Sequence, residues 1–290
     1  MTVRFSCRCP NTDYLGFEAS PEAIVAAAKK AEELGHDAIF ANDHIIVGSD
    51  ARSAAWTNCY DPLVALSYMG AATSRIRIGV SVLIVPYRNP IATAKALATI
   101  DRMSGGRLIA GVGVGWNEGE YAALGVPFAD RGARTNEYLR VWQACWGPDK
   151  VSFDGKFVQF SEMFVSPKPL QQPHPPFWSG GASDGAMRRA ARFSVVWQPT
   201  PLPAADLVER MGALRKASEA IGRDEPPETR MSFRVDFGKS SAADVVAELS
   251  RYRETAGLDA FQVNFHGNRD LAQLLESMER FMGDVKPKVS

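Results

Sequence analysis

Residues 76–113 read Ile76-Arg77-Ile78-Gly79-Val80-Ser81-Val82-Leu83-Ile84-Val85, then Pro86-Tyr87-Arg88, then Asn89-Pro90-Ile91-Ala92-Thr93-Ala94-Lys95-Ala96-Leu97-Ala98-Thr99-Ile100-Asp101-Arg102-Met103, then Ser104-Gly105-Gly106 and Arg107-Leu108-Ile109-Ala110-Gly111-Val112-Gly113. The first run is rich in β-branched residues, as a buried strand is. Asn89 suits an N-cap and Pro90 the first helical position. Ser104-Gly105-Gly106 stops the helix, and a second apolar run from Arg107 to about Gly113 follows. Strand, helix and strand in this order make a parallel βαβ unit.

The same grammar extends in both directions. Toward the N-terminus, a strand over Val3–Cys9 precedes a helix opened by Ser20-Pro21, with Ile24, Ala27, Ala31 and Leu34 on one face and Gly35 at its end. Asp37-Ala38-Ile39-Phe40 is the second strand, and Asp61-Pro62 opens a helix to about Thr73. Toward the C-terminus, helices are predicted over about 117–124 and 129–146. The rhythm then breaks at Val151–Val158, a β-hairpin with an Asp154-Gly155 turn, followed by the proline-rich Pro167–Pro176. Residues 150–175 read as an inserted excursion. Strands over 177–180, 194–198, 230–237 and 260–265 then alternate with helices from Ser183, over 204–221, from the capping-box sequence Ser241-Ala242-Ala243-Asp244, and along the Leu271–Met282 stripe.

Eight strand–helix units in one domain, residues 1–290, predict a closed (β/α)8 TIM barrel with an insertion between strands 4 and 5. The competing architecture is an open doubly wound sheet, which usually carries a glycine-rich turn after its first strand. Here that strand leads into Pro10-Asn11-Thr12-Asp13.

Composition excludes several classes of function. The 33 basic and 33 acidic residues balance, so there is no electrostatic footprint for nucleic acid or an anionic membrane surface. No apolar run reaches roughly 18 residues, the length of a spanning helix. The N-terminus from Met1 to Cys7 lacks a signal-peptide layout. Cys7, Cys9, Cys59 and Cys145 have neither zinc nor disulfide spacing and read as reduced thiols of a cytoplasmic protein.

In a (β/α)8 barrel the chemistry sits at the C-terminal ends of the strands. Strand 2 ends in Asn42-Asp43-His44, and a histidine there suits proton transfer or hydrogen bonding to a ligand. Ser179-Gly180-Gly181-Ala182-Ser183 is either an anion-binding turn ahead of a helix N-terminus or a tight turn with Ser183 as N-cap. The glycines of Gly111–Gly115 either open space for a flat ligand or allow close packing; they are too weak a signal for a dinucleotide fingerprint. His266 follows strand 8, and can line the site or merely cap the barrel. His36 and Arg107 fall at the opposite, structural end, and His174 in a solvated loop. No proposed strand carries a lysine for Schiff-base chemistry. A metal-dependent hydrolase would need an improvised set from Asp43, His44, Asp236 and His266; no metal site is expected.

The chain resembles the bacterial luciferase-like flavin and deazaflavin oxidoreductases over nearly its whole length. The resemblance rests on elements in a shared order. They are Ala41-Asn42-Asp43-His44, Thr73–Gly79, Asn89-Pro90 with Ala94-Lys95, Ile100–Arg107, Gly111–Trp116, Arg131-Gly132-Ala133-Arg134 with Glu137, and Pro175–Gly181. It implies a flavin-type ring at the barrel mouth and a non-prolyl cis peptide in the third strand, here Ser81–Val82. It further implies His44 as the catalytic residue, supported by Asn42 and Asp43. Asp43, Ser81, Val82, Gly113, Val114 and Gly115 would hold the cofactor ring, with Ser179, Gly180, Gly181, Ala182 and Ser183 at its phosphate. Trp56, Trp116 and His266 would shape the substrate pocket.

The pattern is closer to the members that use coenzyme F420, a deazaflavin, than to those that use FMN. Hydride transfer between coenzyme F420 and a small organic substrate is therefore expected. The alternatives are a two-component FMN-dependent monooxygenase fed by a separate reductase and a non-catalytic flavin-binding barrel. A homodimer is expected by resemblance. The sugar-phosphate dehydrogenases of this group pair the histidine with a tryptophan and a glutamate; Val47 and Gly48 stand near the first position and Trp116 at the second, which argues against that substrate. Substrate choice is expected to lie in Gly48–Tyr60 and the 150–175 excursion.

Overall fold

A computed structural model describes residues 3–50, 52–147 and 149–289; Met1 and Thr2, part of the N-terminal reading above, lie outside it. In chain order the strands are β1 (Arg4–Arg8), β2 (Ala38–Ala41), β3 (Arg77–Val80), β4 (Leu83–Ile84), β5 (Leu108–Gly113), β6 (Lys150–Asp154), β7 (Gln159–Phe164), β8 (Phe177–Gly180), β9 (Val196–Gln198), β10 (Glu228–Thr229), β11 (Met231–Val235) and β12 (Ala260–Phe265). The helices are α1 (Pro21–Leu34), α2 (Pro62–Ala72), α3 (Pro90–Met103), α4 (Glu118–Ala123), α5 (Arg131–Trp146), α6 (Asp184–Phe193), α7 (Ala204–Glu219), α8 (Ala242–Ala256), α9 (Leu271–Arg280) and α10 (Lys286–Val289).

The main sheet is parallel and runs β10-β9-β8-β5-β3-β2-β1-β12-β11, with β4 also on β5. Its two ends, β10 and β11, are halves of one strand separated by Arg230, whose N–H donates to Trp197 O at 2.9 Å. The sheet thus curls round into a (β/α)8 barrel. Two expected strands come out in pieces. The third, expected over 76–85, is broken at a cis Ser81–Val82 bond into β3 and β4. The seventh, expected over 230–237, starts at Glu228, is interrupted at Arg230 and stops at Val235, so Asp236 and Phe237 lie beyond it.

The three cap-then-proline starts form as their chemistry dictates. Ser20 Oγ accepts from Ala23 N, Asp61 from Leu63 N and Val64 N, and Asn89 from Ile91 N and Ala92 N. Ser241 and Asp244 complete a capping box. The helices pack a continuous apolar layer onto the outside of the sheet. Inside the barrel, Ala38, Phe40, Ile109, Trp178 and Val196 make a separate apolar plug. Arg230 lies over the Trp178 ring at 4.8 Å and pairs with Asp37 at 2.6 Å. Above the plug the interior turns polar: Gln198 donates to Gln262 at 2.5 Å, and Gln262 to Asn264 at 3.1 Å. The barrel interior thus has an apolar plug below and groups equipped for hydrogen bonding above.

Hairpin β6–β7 forms, but its loop is the four residues Gly155–Val158 rather than an Asp-Gly pair, because Asp154 pairs with Gln159. Glu137 reaches into that loop and accepts from the N–H groups of Lys156, Phe157 and Val158. The proline-rich continuation runs to the opposite end of the barrel. There Leu170 and Gln171 donate to Asp101, and Gln171 to Leu108 O, at the start of β5. The proline-rich half of the excursion therefore braces the base, while the hairpin loop at Phe157–Gln159 lies beside Tyr87 and Arg88. His174, expected in a solvated loop, is half-buried and packs on Phe177 and Trp146 at 4.7 and 5.8 Å. Arg107 precedes β5 and ties off the end of α2 through Gly70 O and Thr73 O, the structural role expected of it.

Candidate active site at the barrel mouth

At the C-terminal ends of the strands lies a cavity of about 420 Å³. His44, Asp43, Ser81, Val82, Trp56, Trp116 and His266 all line it. These residues come from five separate stretches of sequence. Asn42 lines it too; the remaining expected residues do not, and their placement shows what they do instead.

Gly113 and Gly180 make room for Val82. A Cβ at Gly113 would stand 2.3 Å from Val82 Cγ2, and one at Gly180 2.8 Å from Val82 Cγ1. The Val82 side chain is seated between two glycines of β5 and β8, and its residue forms the cavity wall. Gly115, at φ +69°, lies against Ile84 and Tyr87, and Val114 O accepts from the Tyr121 hydroxyl at 2.5 Å. In the turn after β8, the Ser179 hydroxyl is buried against Ser194 at 2.5 Å. Gly181 adopts φ +89° and its carbonyl accepts from Trp197 Nε1 at 2.7 Å. Ser183 Oγ caps α6 by accepting from Ala186 N at 3.3 Å, and Ala182 is half-buried beside it. Of this turn, the backbone, the start of α6 and the Ser183 O–H, whose oxygen accepts the cap bond while its proton can still donate, can meet an anion; the Ser179 hydroxyl is engaged with Ser194.

Asp43 is buried and accepts two hydrogen bonds from Arg88, at 2.7 and 2.8 Å, and one from Ile84 N at 2.8 Å. Burial pushes its carboxyl up, and Arg88 opposes that. Asp43 thus pins β4 to the end of β2. Asn42 is similarly committed: its N–H donates to Asn11 Oδ1, and its carbonyl accepts from Asn11 Nδ2, both at 2.9 Å.

His44 is held by a partner that strand-end reasoning did not supply. Its Nδ1 lies 3.0 Å from Glu120 Oε2, on the first turn of α4. The same carboxylate accepts from the Tyr87 hydroxyl at 2.9 Å, from Ile45 N at 2.5 Å and from Ile46 N at 3.2 Å. Burial opposes its charge, but His44, Ile45 and Tyr87 together hold the Glu120 carboxyl below the usual glutamate range. A carboxylate only accepts, so the His44 proton belongs on Nδ1 and Nε2 is the basic position. Trp56 and Trp116 flank the imidazole at 4.8 and 5.9 Å, and Arg52 stacks over Trp116 at 3.7 Å. The available signal for Glu120 was Asn117-x-x-Glu120, a helix-start spacing. Asn117 does cap α4, but Glu120 turns away to His44. His266 lies across the cavity, and burial, then Arg234 and Arg8, lower its pKa to about 4.

A wall at Val82, two indole faces and a histidine with a fixed tautomer fit a planar organic cofactor. Comparison with known proteins agrees. The sequence pattern of the family described as luciferase-like monooxygenase matches residues 1–283. The chain belongs to this family. One relative, the F420-dependent glucose-6-phosphate dehydrogenase of Kineococcus radiotolerans, is 32% identical over 289 residues, 91% of this chain and 80% of that one. Another, the FMNH2-dependent dimethylsulfone monooxygenase of Pseudomonas putida, is 39% identical over 127 residues, 43% of this chain and 35% of the other. The solved structure of an F420-dependent secondary alcohol dehydrogenase superposes with a TM-score of 0.81 at 17% identity, covering 100% of both chains. The luciferase-like barrel is thus the fold, and the chain is a luciferase-like oxidoreductase of a family whose members use either F420 or FMN.

Proposed function

We propose that the protein transfers hydride between coenzyme F420 and a small organic substrate at the barrel mouth. The reading is carried by one observation: a histidine fixed by a buried carboxylate at the wall of the same cavity as Ser81 and Val82. The F420-dependent relative supports the cofactor choice, because it aligns along most of the chain and the FMN-dependent one along less than half.

When bound, the deazaflavin ring supplies hydride exchange at its C5 position. The protein's part is to position and to move a proton. Ser81 and Val82 back the ring, with Val82 braced by Gly113 and Gly180. The turn 180–183 and the start of α6 receive the cofactor phosphate through backbone N–H groups. Trp56 and Trp116 exclude water around the imidazole. In alcohol oxidation, His44 Nε2 takes the hydroxyl proton as hydride leaves the carbon; in carbonyl reduction the imidazolium returns it. Glu120 stabilises the imidazolium through Nδ1–H.

Titration with F420 and FMN, each oxidised and reduced, followed by tryptophan fluorescence, tests the reading. Selective F420 binding is the expected result. Selective binding of reduced FMN, with substrate-dependent oxygen uptake, would replace it by the monooxygenase reading, and a separate reductase would then be required.

A further inference from the structure

A second cavity, of about 730 Å³, lies on the outside of the barrel along α6, between α5 and α7. One end is at the mouth. Gly132 and Asn136 belong to the first turns of α5, and Asp184 and Gly185 begin α6 directly after the 180–183 turn. The other end, at Phe193, lies the whole of α6 away, ten residues or about 15 Å. The floor is apolar, built from Met187, Phe193, Ala213 and Ala217.

Four cations line this groove, Arg188, Arg189, Arg192 and Lys216, against one carboxylate, Asp184, which Arg210 holds at 3.0 Å. Among the described residues none of the four is ion-paired. Arg188 and Arg192 are exposed one helical turn apart on α6, and Lys216 is exposed on α7. Arg189 is different, being only 7% exposed. Its Nε donates to Asn136 Oδ1 at 2.9 Å and its Nη2 to Gly132 O at 3.3 Å, both neutral acceptors. Nη1 has no protein partner and is not sealed from solvent. Burial lowers the pKa of Arg189 to about 10, so it stays charged at neutral pH. An arginine buried to this degree is ordinarily paired with an anion. Here the groove is the open side from which one can arrive, and a planar guanidinium suits a carboxylate.

FMN ends at its phosphate. F420 continues past its phosphate into a lactyl-oligoglutamate chain, with a free carboxylate on each glutamate. The turn 180–183 and the start of α6, which receive the phosphate in the F420 reading, open onto this groove at Asp184 and Gly185. We propose that the groove over α6 holds the oligoglutamate chain of F420. Arg188 and Arg189 take carboxylates nearer the mouth, Arg192 and Lys216 those further down, and the methylenes lie on the apolar floor. This rests on the F420 reading of the barrel mouth, but it is testable by binding alone.

The test is a tryptophan-fluorescence titration of the purified protein with F420 bearing several glutamates, with its glutamate-free form F420-0, and with FMN. The tailed form should bind about tenfold or more tighter than F420-0, the scale of one charge-assisted hydrogen bond. Added salt should narrow that gap. The double variant Arg188→Gln/Arg192→Gln, at exposed positions, should erase most of the gap and leave the affinity for F420-0 unchanged. Arg189→Gln should erase it as well; where that variant does not fold, the exposed pair decides. Equal affinity for the two F420 forms, or a gap that survives the double variant, would overturn the proposal. F420-0 that binds while the glutamates add nothing removes the groove alone. Failure of both F420 forms to bind, with FMN bound, removes the F420 reading and this proposal with it.

Discussion

At the scale of residues, the site depends on two carboxylates with opposite tasks. Asp43 is spent on Arg88 and holds backbone; Glu120 is spent on His44 and holds a proton position. His44→Ala should leave cofactor affinity intact and lower turnover by about two to four orders of magnitude. Glu120→Gln should be nearly as damaging in kcat, about 100-fold, because an amide N–H facing Nδ1 forces the wrong tautomer. Its KM should change little, and Glu120→Asp should recover part of the loss. Steady-state kinetics of the three variants checks this. An unchanged kcat in Glu120→Gln would remove it as the positioning group. Asp43 and His44 were legible in the sequence because they end a strand, where barrel chemistry sits. Glu120 was not, since a glutamate three places after an asparagine reads as a helix cap until its rotamer is known.

At the scale of elements, glycine placement separates packing from function. A Cβ at Gly111 would stand 1.7 Å from the Val80 carbonyl oxygen, backbone against backbone, so Gly111→Ala should not give a soluble folded barrel. A Cβ at Gly113 meets side chains rather than backbone: Val82 Cγ2 at 2.3 Å and Cβ at 3.2 Å, and Ile84 Cδ1 at 3.9 Å. Gly113→Ala should therefore keep the fold and weaken cofactor binding, read by circular dichroism and by titration. Gly212 in the exposed face of α7 has nothing within 4 Å of an added Cβ. Gly212→Ala should stabilise by about 0.5–1 kcal/mol in chemical denaturation. The alternation of strands and helices was readable because each cap uses local chemistry. The break in the third strand was legible only through the family resemblance, which placed a cis bond at Ser81–Val82, and the structure has it there; the break in the seventh was not legible, because Arg230 looks like an ordinary strand residue. The course of the excursion was likewise hidden: nothing in Pro167–Pro176 says that Gln171 will reach Asp101.

At the scale of the whole molecule, stability should fall in mild acid for a nameable reason. His36 is 4% exposed, and its Nδ1–H donates to Phe5 O at 3.2 Å. Burial depresses its pKa to about 4 from 6.5. The folded protein keeps it neutral while the unfolded chain takes up a proton below 6.5. Its contribution is complete above pH 6.5 and is lost as pH drops toward 4, on the order of 3 kcal/mol in full. His266 titrates in the same window. Denaturation between pH 7 and 4.5 should show stability declining with proton uptake, and His36→Gln should reduce the slope by one proton. A slope unchanged in that variant would place the sensitivity elsewhere.

Glu120 does one more thing by virtue of where its two oxygens point. One grips the imidazole and the tyrosine; the other grips the chain at Ile45 and Ile46. That chain leads directly into the segment bearing Arg52, stacked on Trp116, and Trp56, stacked on the imidazole. Roof and base therefore share a single fastening. Displacing Ile45 and Ile46 would take two of its four donors from the carboxylate that orients the proton acceptor.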